Sequence, residues 1–230
     1  MNRYIKLMDR IKNGDRILID GATGTEIQKR GVPQLENAWN GGGALSHPEI
    51  LRTVHEDYIR AGAEIIISNT FATHRRALKD AGVEHKFEEF NRRGIEIAIE
   101  ARERMQTNDV LVAGGISFWS WLKVPVPPPL DELAVDIEDQ AIIMTDAGAD
   151  LLMLEMMVDI DRTVATLKAA QSSGLPVWVG LSCKLNDVGD VILGSGDDRG
   201  FSSGGLLTDA LDAIQDFNIP FLNIMHTEVE

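Results

Sequence analysis

Two carboxyl side chains stand where short apolar runs of the sequence end. Asp20 closes the run RILID, and Glu155 closes the run LLMLE. If both runs are buried strands, each carboxyl group is partly buried and needs a cationic or N–H partner. Two interpretations remain open: the pair binds an amino group or a cationic substrate, or it caps backbone amides and pairs with arginine.

Small, polar or aromatic residues follow the other apolar runs. Gly21 begins the segment GATGTE, which lets a backbone approach a ligand but lacks the spacing of a Walker or dinucleotide-binding loop. Thr70 lies in SNTF after the second run, and His226 ends the last run in NIMH. A single histidine is usually a hydrogen-bonded structural residue, so His226 is only a weak candidate for a metal ligand. Cys183 lies among apolar residues and is expected to be a buried, inert thiol.

The composition excludes several classes of protein. The chain has 230 residues with 22 Lys and Arg against 36 Asp and Glu, a net charge of −14. This charge argues against nucleic-acid and anionic membrane partners, which require a basic face. The one cysteine excludes an intrachain disulfide and a cysteine-rich zinc module. With no long apolar stretch and no signal-peptide pattern, we expect a cytoplasmic protein.

Short apolar runs alternate with longer amphipathic stretches along the chain. Because strands that alternate with helices form parallel sheets with right-handed crossovers, the pattern predicts about six βα units in a single domain over residues 1–230. The predicted strands are 16–20, 64–68, 110–113, 151–155, 177–181 and 220–225. The predicted helices are 47–62, 84–105, 130–147, 159–173 and 205–217, the first with a capping box from Ser46 to Glu49.

Two architectures fit this alternation. One is a doubly wound open sheet, and the other is a (β/α)₈ barrel, which needs eight strands and typically about 250 residues. Six units are visible, so the pattern indicates either an open sheet or a barrel cut short. In both architectures ligands bind at the carboxyl ends of the strands. The stiff, proline-rich segment 123–129 falls at that end, and so do the neighbouring Trp119 and Trp121.

Three stretches together resemble the homocysteine S-methyltransferase family. They are ILIDGATGTEIQKRG at 17–31, LSHPEILRTVHEDYIRAGAEIIISNTFAT at 45–73 and DLLMLEMMVDIDRTVATLKAAQSSGLPVWVGLSCK at 150–184. The resemblance implies a TIM-barrel (β/α)₈ fold, here incomplete, in a methyltransferase that moves a methyl group from a sulfonium, betaine or folate donor to the homocysteine thiol. It also implies that Asp20, Gly21 and Thr70 help to position homocysteine and that Glu155 binds its amino group.

The resemblance further implies a zinc ion, which activates the thiol and is held in the family by three cysteines. One of these cysteines follows an asparagine at the end of the sixth strand, but here Asn223 is followed by isoleucine. The zinc ligands of the family are therefore absent from this chain. Three hypotheses follow: a homocysteine methyltransferase, a zinc-free barrel that binds homocysteine or methionine without turnover, or an enzyme of different chemistry with His226 as a base. Open sheet edges also predict a homo-oligomer.

Overall fold

Five parallel strands build one curled sheet in the computed structural model, which describes residues 2–120, 127–195 and 205–227. Their order across the sheet is the order along the chain, as in a barrel and unlike a doubly wound sheet. The strands are β1 (Ile65–Ile67), β2 (Leu111–Ile116), β3 (Leu151–Met157), β4 (Val177–Leu181) and, at the far edge, β7 (Leu222–Ile224). A short antiparallel hairpin, β5 (Cys183–Leu185) and β6 (Val191–Leu193), lies between β4 and β7 in the sequence.

Helices connect the strands and cover the convex face of the sheet. Among the described residues they are α1 (Arg3–Lys12), α2 (Thr23–Lys29), α3 (Gly43–Ser46), α4 (Pro48–Arg60), α5 (Arg75–Asp80), α6 (Phe87–Arg104), α7 (Leu130–Asp146), α8 (Ile160–Gln171) and α9 (Leu207–Ile214). None of the helices in these described segments is long and apolar enough to cross a membrane.

Both faces of the sheet are buried along β2, β3 and β4, which explains why these strands read as continuous apolar runs. Alternate residues such as Ile66, Val112 and Leu152 pack outward against the helices. Their neighbours face inward, and at the end where the strands begin they are covered by α1 through Leu7. The opposite end, where the carboxyl ends of the strands meet, is left for a cavity. Trp178 fills the interior near α1 and stacks on Phe221 with 4.7 Å between ring centroids.

The predicted incomplete barrel is confirmed, with local differences. The expected first strand is reduced to a parallel bridge between Ile19 and Ile65. Among the described residues, four helices were not predicted, α1, α2, α3 and α5, because the first is strongly charged and the others have only seven, four and six residues. The predicted capping box is wrong: His47 is the N-cap of α4, and the Ser46 hydroxyl donates instead to the Gly42 carbonyl at 3.0 Å. Trp119 is buried, while Trp121 and residues 123–126 lie outside the described residues.

The two edges of the sheet are formed by β7 and by the remnant of the first strand. Leu222 is 40% exposed and Ile224 is 53% exposed on β7, and Leu18 is 53% exposed beside the other edge. An edge strand presents unpaired backbone groups, and here apolar side chains accompany them.

Two buried histidines give the fold an acid-labile element. Burial lowers the pKa of both to about 4. The His74 ring is satisfied, because one nitrogen contacts the Trp119 carbonyl at 2.7 Å and the other accepts from the Ala77 amide at 3.3 Å. His55 is fully buried in α4, and neither ring nitrogen has a hydrogen-bond partner among the described residues.

We expect His55→Leu to stabilise the protein in mild acid. The unfolded histidine takes up a proton below about pH 6.5 while the buried one stays neutral, so stability is lost as the pH falls from about 6.5 towards 4. Removing His55 should recover about 2 kcal/mol at pH 5 and little at pH 8, measured by urea unfolding. His74→Leu is the control and should destabilise at both pH values, because it breaks two hydrogen bonds. Equal effects of His55→Leu at the two pH values would contradict this assignment.

Candidate functional site

A cavity of about 100 Å³ lies at the carboxyl ends of the strands. Its wall is formed by residues 21–24 after the first-strand remnant, residues 39–41 of a long loop, the segment after β1, Glu155 and His226. None of the described lining residues is lysine or arginine. Among them only Glu155 and His226 carry ionisable side chains, and burial lowers the pKa of His226. The cavity therefore offers oxygen acceptors and aromatic rings but no cationic side chain.

An irregularity near the end of β3 sets the direction of the Glu155 side chain. The pairing of β3 with β4 shifts register between Leu154 and Met157, and Met156 has a left-handed φ of 58°. Such bulges redirect side chains and occur next to active sites. Gly115 of β2 makes room for the carboxyl group, since a Cβ there would overlap Oε1 of Glu155.

Asp20 hydrogen-bonds to β1, where the predicted first strand would pair with it. Its amide donates to the Ile65 carbonyl at 3.0 Å, and its Oδ2 accepts from the Ile67 amide at 2.8 Å. Its Oδ1 is buried and has no hydrogen-bond partner among the described residues. Asp20 thus holds the turn at Gly21 and keeps one buried carboxyl oxygen unpaired, but it is not among the described residues that line the cavity. Gly21 is needed there, because a Cβ would come 2.9 Å from the Tyr58 hydroxyl oxygen.

The two carboxyl groups share an unusual electrostatic environment. Burial raises the pKa of Asp20 to about 8, only partly offset by the Ile67 amide. Burial and, to a smaller extent, the neighbouring Asp20 together raise the pKa of Glu155 to about 8. No residue in the described segments forms a hydrogen bond or an ion pair with the Glu155 carboxyl group. Glu155 is only partly buried and keeps access to the cavity. A cation that enters the cavity would stabilise both ionised forms.

Thr70 lies behind the cavity wall. It is completely buried, its hydroxyl donates to the Gly115 carbonyl at 2.8 Å, and it lies 2.7 Å from the Ser68 hydroxyl. In this structure Thr70 ties the ends of β1 and β2 together and holds the strand that carries Gly115 beneath Glu155. A direct contact of Thr70 with a ligand stays a prediction.

The loop that contributes Trp39, Asn40 and Gly41 to the cavity was missed by sequence reasoning. Asn40 donates through Nδ2 to the Gly24 carbonyl at 2.6 Å, and its buried Oδ1 has no partner in the described segments. Asn69 donates to the Asn40 carbonyl at 2.8 Å and joins this loop to β1. The available signal was the run NGGG at 40–43: a Cβ on Gly41 would come 3.0 Å from the Ala72 carbonyl oxygen.

His226 lies at the exposed mouth of the cavity, directly after β7. Its ring lies against Phe71, with 6.1 Å between ring centroids. Its backbone is left-handed, with a φ of 50°, which is uncommon for a residue other than glycine. The preceding Met225 contacts β3, since its sulfur accepts from the Met156 amide at 3.2 Å.

A three-cysteine zinc site does not fit this chain. The sequence contains one cysteine, Cys183, which is buried in β5. Across residues 2–120, 127–195 and 205–227, no three His, Cys, Asp or Glu side chains come together in a group that could hold a metal ion. Ile224 stands after Asn223, and the Asn223 Oδ1 is buried without a partner in the same part of the chain.

With its incomplete parallel barrel and a carboxyl-lined cavity at the strand ends, the chain is an α/β barrel protein. The model of the homocysteine S-methyltransferase family matches residues 17–224, and the chain belongs to this family. Betaine–homocysteine S-methyltransferase 1 of Bos taurus is 27% identical over 176 residues, which is 74% of this chain and 42% of that protein. Homocysteine S-methyltransferase 2 of Zea mays is 34% identical over 91 residues, 39% of this chain and 27% of that protein. The chain thus spans less than half of the length of these two relatives.

A solved structure supports the fold. The metallated form of the homocysteine methyltransferase MmuM from Escherichia coli superposes with a TM-score of 0.77 at 22% identity. The superposition covers 97% of this chain and 77% of the MmuM chain. At this identity the match establishes the fold alone.

The paired carboxyl groups should destabilise the ligand-free protein in alkaline solution. In the unfolded chain Glu155 ionises near pH 4.5, but in the folded protein its pKa is about 8, so stability is lost as the pH rises between these values. Glu155→Gln should therefore raise the free energy of unfolding by about 4 kcal/mol at pH 8 and by about 1 kcal/mol at pH 5, measured by urea titration. The exposed Glu89→Gln is the control and should leave the pH dependence unchanged. A Glu155→Gln profile parallel to the wild type would contradict the raised pKa.

Proposed function

We propose that this chain binds homocysteine through Asp20 and Glu155 and serves methyl transfer to the homocysteine thiol, with methionine as the product. The observation that carries the proposal is the Glu155 carboxyl group, which faces the cavity and has no hydrogen-bond partner among the described residues. An ammonium group would satisfy this carboxyl group, and the neighbouring Asp20, with its unpaired Oδ1, adds to the attraction for a positive charge. Family membership supports the reaction class.

An onium compound, in which a positively charged nitrogen or sulfur carries the methyl group, suits the cavity best as donor. The rings of Trp39 and Phe71 line the cavity together with the Glu155 carboxyl group, and aromatic faces attract such cations. Curated relatives are named for two onium donors, betaine and S-methylmethionine. The transfer forms a bond from sulfur to the methyl carbon and returns the bonding electron pair to the donor.

A second candidate is a zinc-free barrel that binds homocysteine or methionine without turnover. The observation that favours it is the lack of a three-residue metal-binding group in the described part of the chain. Both candidates require the same amino-group contact with Glu155, and they differ only in whether a bound thiol reacts.

The amino-group contact can be measured by calorimetric titration of L-homocysteine into the protein, with and without added zinc. We expect Glu155→Gln to weaken binding about tenfold to hundredfold, because a hydrogen bond to a charged group is lost. γ-Mercaptobutyrate, which lacks the amino group, should bind the wild type about as weakly as L-homocysteine binds the variant. The exposed Glu89→Gln should bind like the wild type.

Equal affinity of L-homocysteine for the wild type and Glu155→Gln would contradict the proposed site. Methionine formation from L-homocysteine and S-methylmethionine separates the two candidates. Product appearing at a rate that depends on protein concentration supports the methyltransferase, and tight binding without product supports the zinc-free binding protein.

We further propose that the protein self-associates through its sheet edges. Leu222 and Ile224 on β7 expose apolar surface at a sheet edge that pairs with no further strand among the described residues. Light scattering after size-exclusion chromatography should detect a dimer or larger assembly, and Ile224→Lys should shift it towards the monomer because a buried lysine would be unpaired. A monomer at all protein concentrations would contradict this proposal. The predicted cytoplasmic location stays a prediction.

A further inference from the structure

Deprotonation of the bound thiol is the step that the family assigns to zinc, and in this chain isoleucine follows Asn223 at the position of a family zinc cysteine. A thiol with a pKa near 8.5 is mostly protonated at neutral pH, and the thiolate is the nucleophile. A base next to the bound sulfur is therefore needed if the thiol is to react. This argument rests on the proposed binding of homocysteine.

The cavity contains one side chain suited to this role. Among the described lining residues only Glu155 and His226 carry ionisable side chains, and Asp20 lies beside Glu155. The two carboxyl groups are the ones that an ammonium group would occupy. This leaves the His226 imidazole, at the mouth of the same cavity, to accept the proton of the thiol.

The backbone holds His226 and Glu155 on adjoining walls. Met156 follows Glu155, Met225 precedes His226, and the Met225 sulfur accepts a hydrogen bond from the Met156 amide at 3.2 Å. The contact crosses β4 above Gly180, where a Cβ would overlap the Met225 sulfur. A side chain at position 180 would therefore separate the two walls.

A residue on each side of the contact between Met156 and Met225 has a left-handed backbone conformation. Met156 has a φ of 58° and His226 a φ of 50°, and neither is a glycine. Such conformations are unfavourable for residues other than glycine and persist where the surrounding structure fixes them, often at active sites. One of them lies next to Glu155, and the other is His226 itself.

We propose that His226 is the general base that takes the proton of the homocysteine thiol, so that the thiolate forms without a metal bound to this chain. The S–H bond breaks, its proton goes to a ring nitrogen of His226, and the electron pair stays on sulfur. The thiolate then attacks the methyl carbon of the onium donor, whose bond to nitrogen or sulfur breaks with the electron pair leaving on the donor. The imidazolium returns the proton to water.

The test uses the whole chain, dialysed against EDTA, and the variant His226→Asn. Asparagine is chosen because it tolerates the left-handed backbone at this position. L-Methionine affinity, measured by calorimetry, reports the amino-group site. The ultraviolet difference absorbance of thiolate, measured on saturation with L-homocysteine at neutral pH, reports deprotonation. Cys183 adds no background, because it is the one cysteine of the chain and burial raises the pKa of its thiol.

We expect the wild type to bind L-methionine and to show the thiolate signal with L-homocysteine, because an imidazole beside a thiol stabilises the thiolate. His226→Asn should keep its L-methionine affinity within about threefold, since the contacts with Glu155 remain. Its thiolate signal should fall about tenfold, as for a pKa higher by one unit. Met225→Leu, which keeps the imidazole but removes the sulfur acceptor, should also lower the signal.

Two results would overturn the role of His226: a thiolate signal that is unchanged in His226→Asn, or one that appears only after zinc is added. A wild-type protein that binds neither L-methionine nor L-homocysteine would overturn the proposed function itself. The two failures are distinguishable, because the first occurs with L-methionine affinity intact.

Discussion

The burial of two carboxyl groups without a cationic side chain to neutralise them is the constraint on which this site depends. Moving such groups out of water is costly, and in Asp20 and Glu155 the cost appears as a pKa of about 8 for each. A structural ion pair with arginine would have removed the cost, and the Glu155 carboxyl group has no such pair in the described segments. The empty site is therefore less stable than one in which arginine neutralises the carboxyl groups. A cationic ligand would recover that free energy.

Several neighbouring groups position these two carboxyl groups. Gly115 has no side chain, so the Glu155 carboxyl group has room, and Thr70 holds the Gly115 carbonyl from behind. The Ile67 amide fixes one oxygen of Asp20 and leaves the other unpaired. The packed helices and α1 supply the rigidity, since a carboxyl group in a fluid interior would turn towards water.

Much of the fold could be predicted from the sequence, because buried parallel strands are continuous apolar runs and helices show their period. The first strand was misjudged: RILID has the pattern of a strand, but only Ile19 bridges to Ile65. Asp20 and Glu155 could be found because each ends an apolar run. The loop at 39–41 could not, since its place in the cavity depends on hydrogen bonds from Asn40 and Asn69 between segments far apart in the sequence.

The relation between His226 and Glu155 also lies beyond the sequence. The two residues are 71 positions apart and on strands separated by β4, so no local pattern connects them. What joins them is the contact between the residues beside them, Met156 and Met225, over a glycine. A barrel brings the ends of all its strands to one mouth, and a base can then arise on a strand where a metal ligand is lost. Under the proposed function, the Glu155 carboxyl group would bind the ammonium group, and the imidazole at the mouth would receive the thiol proton.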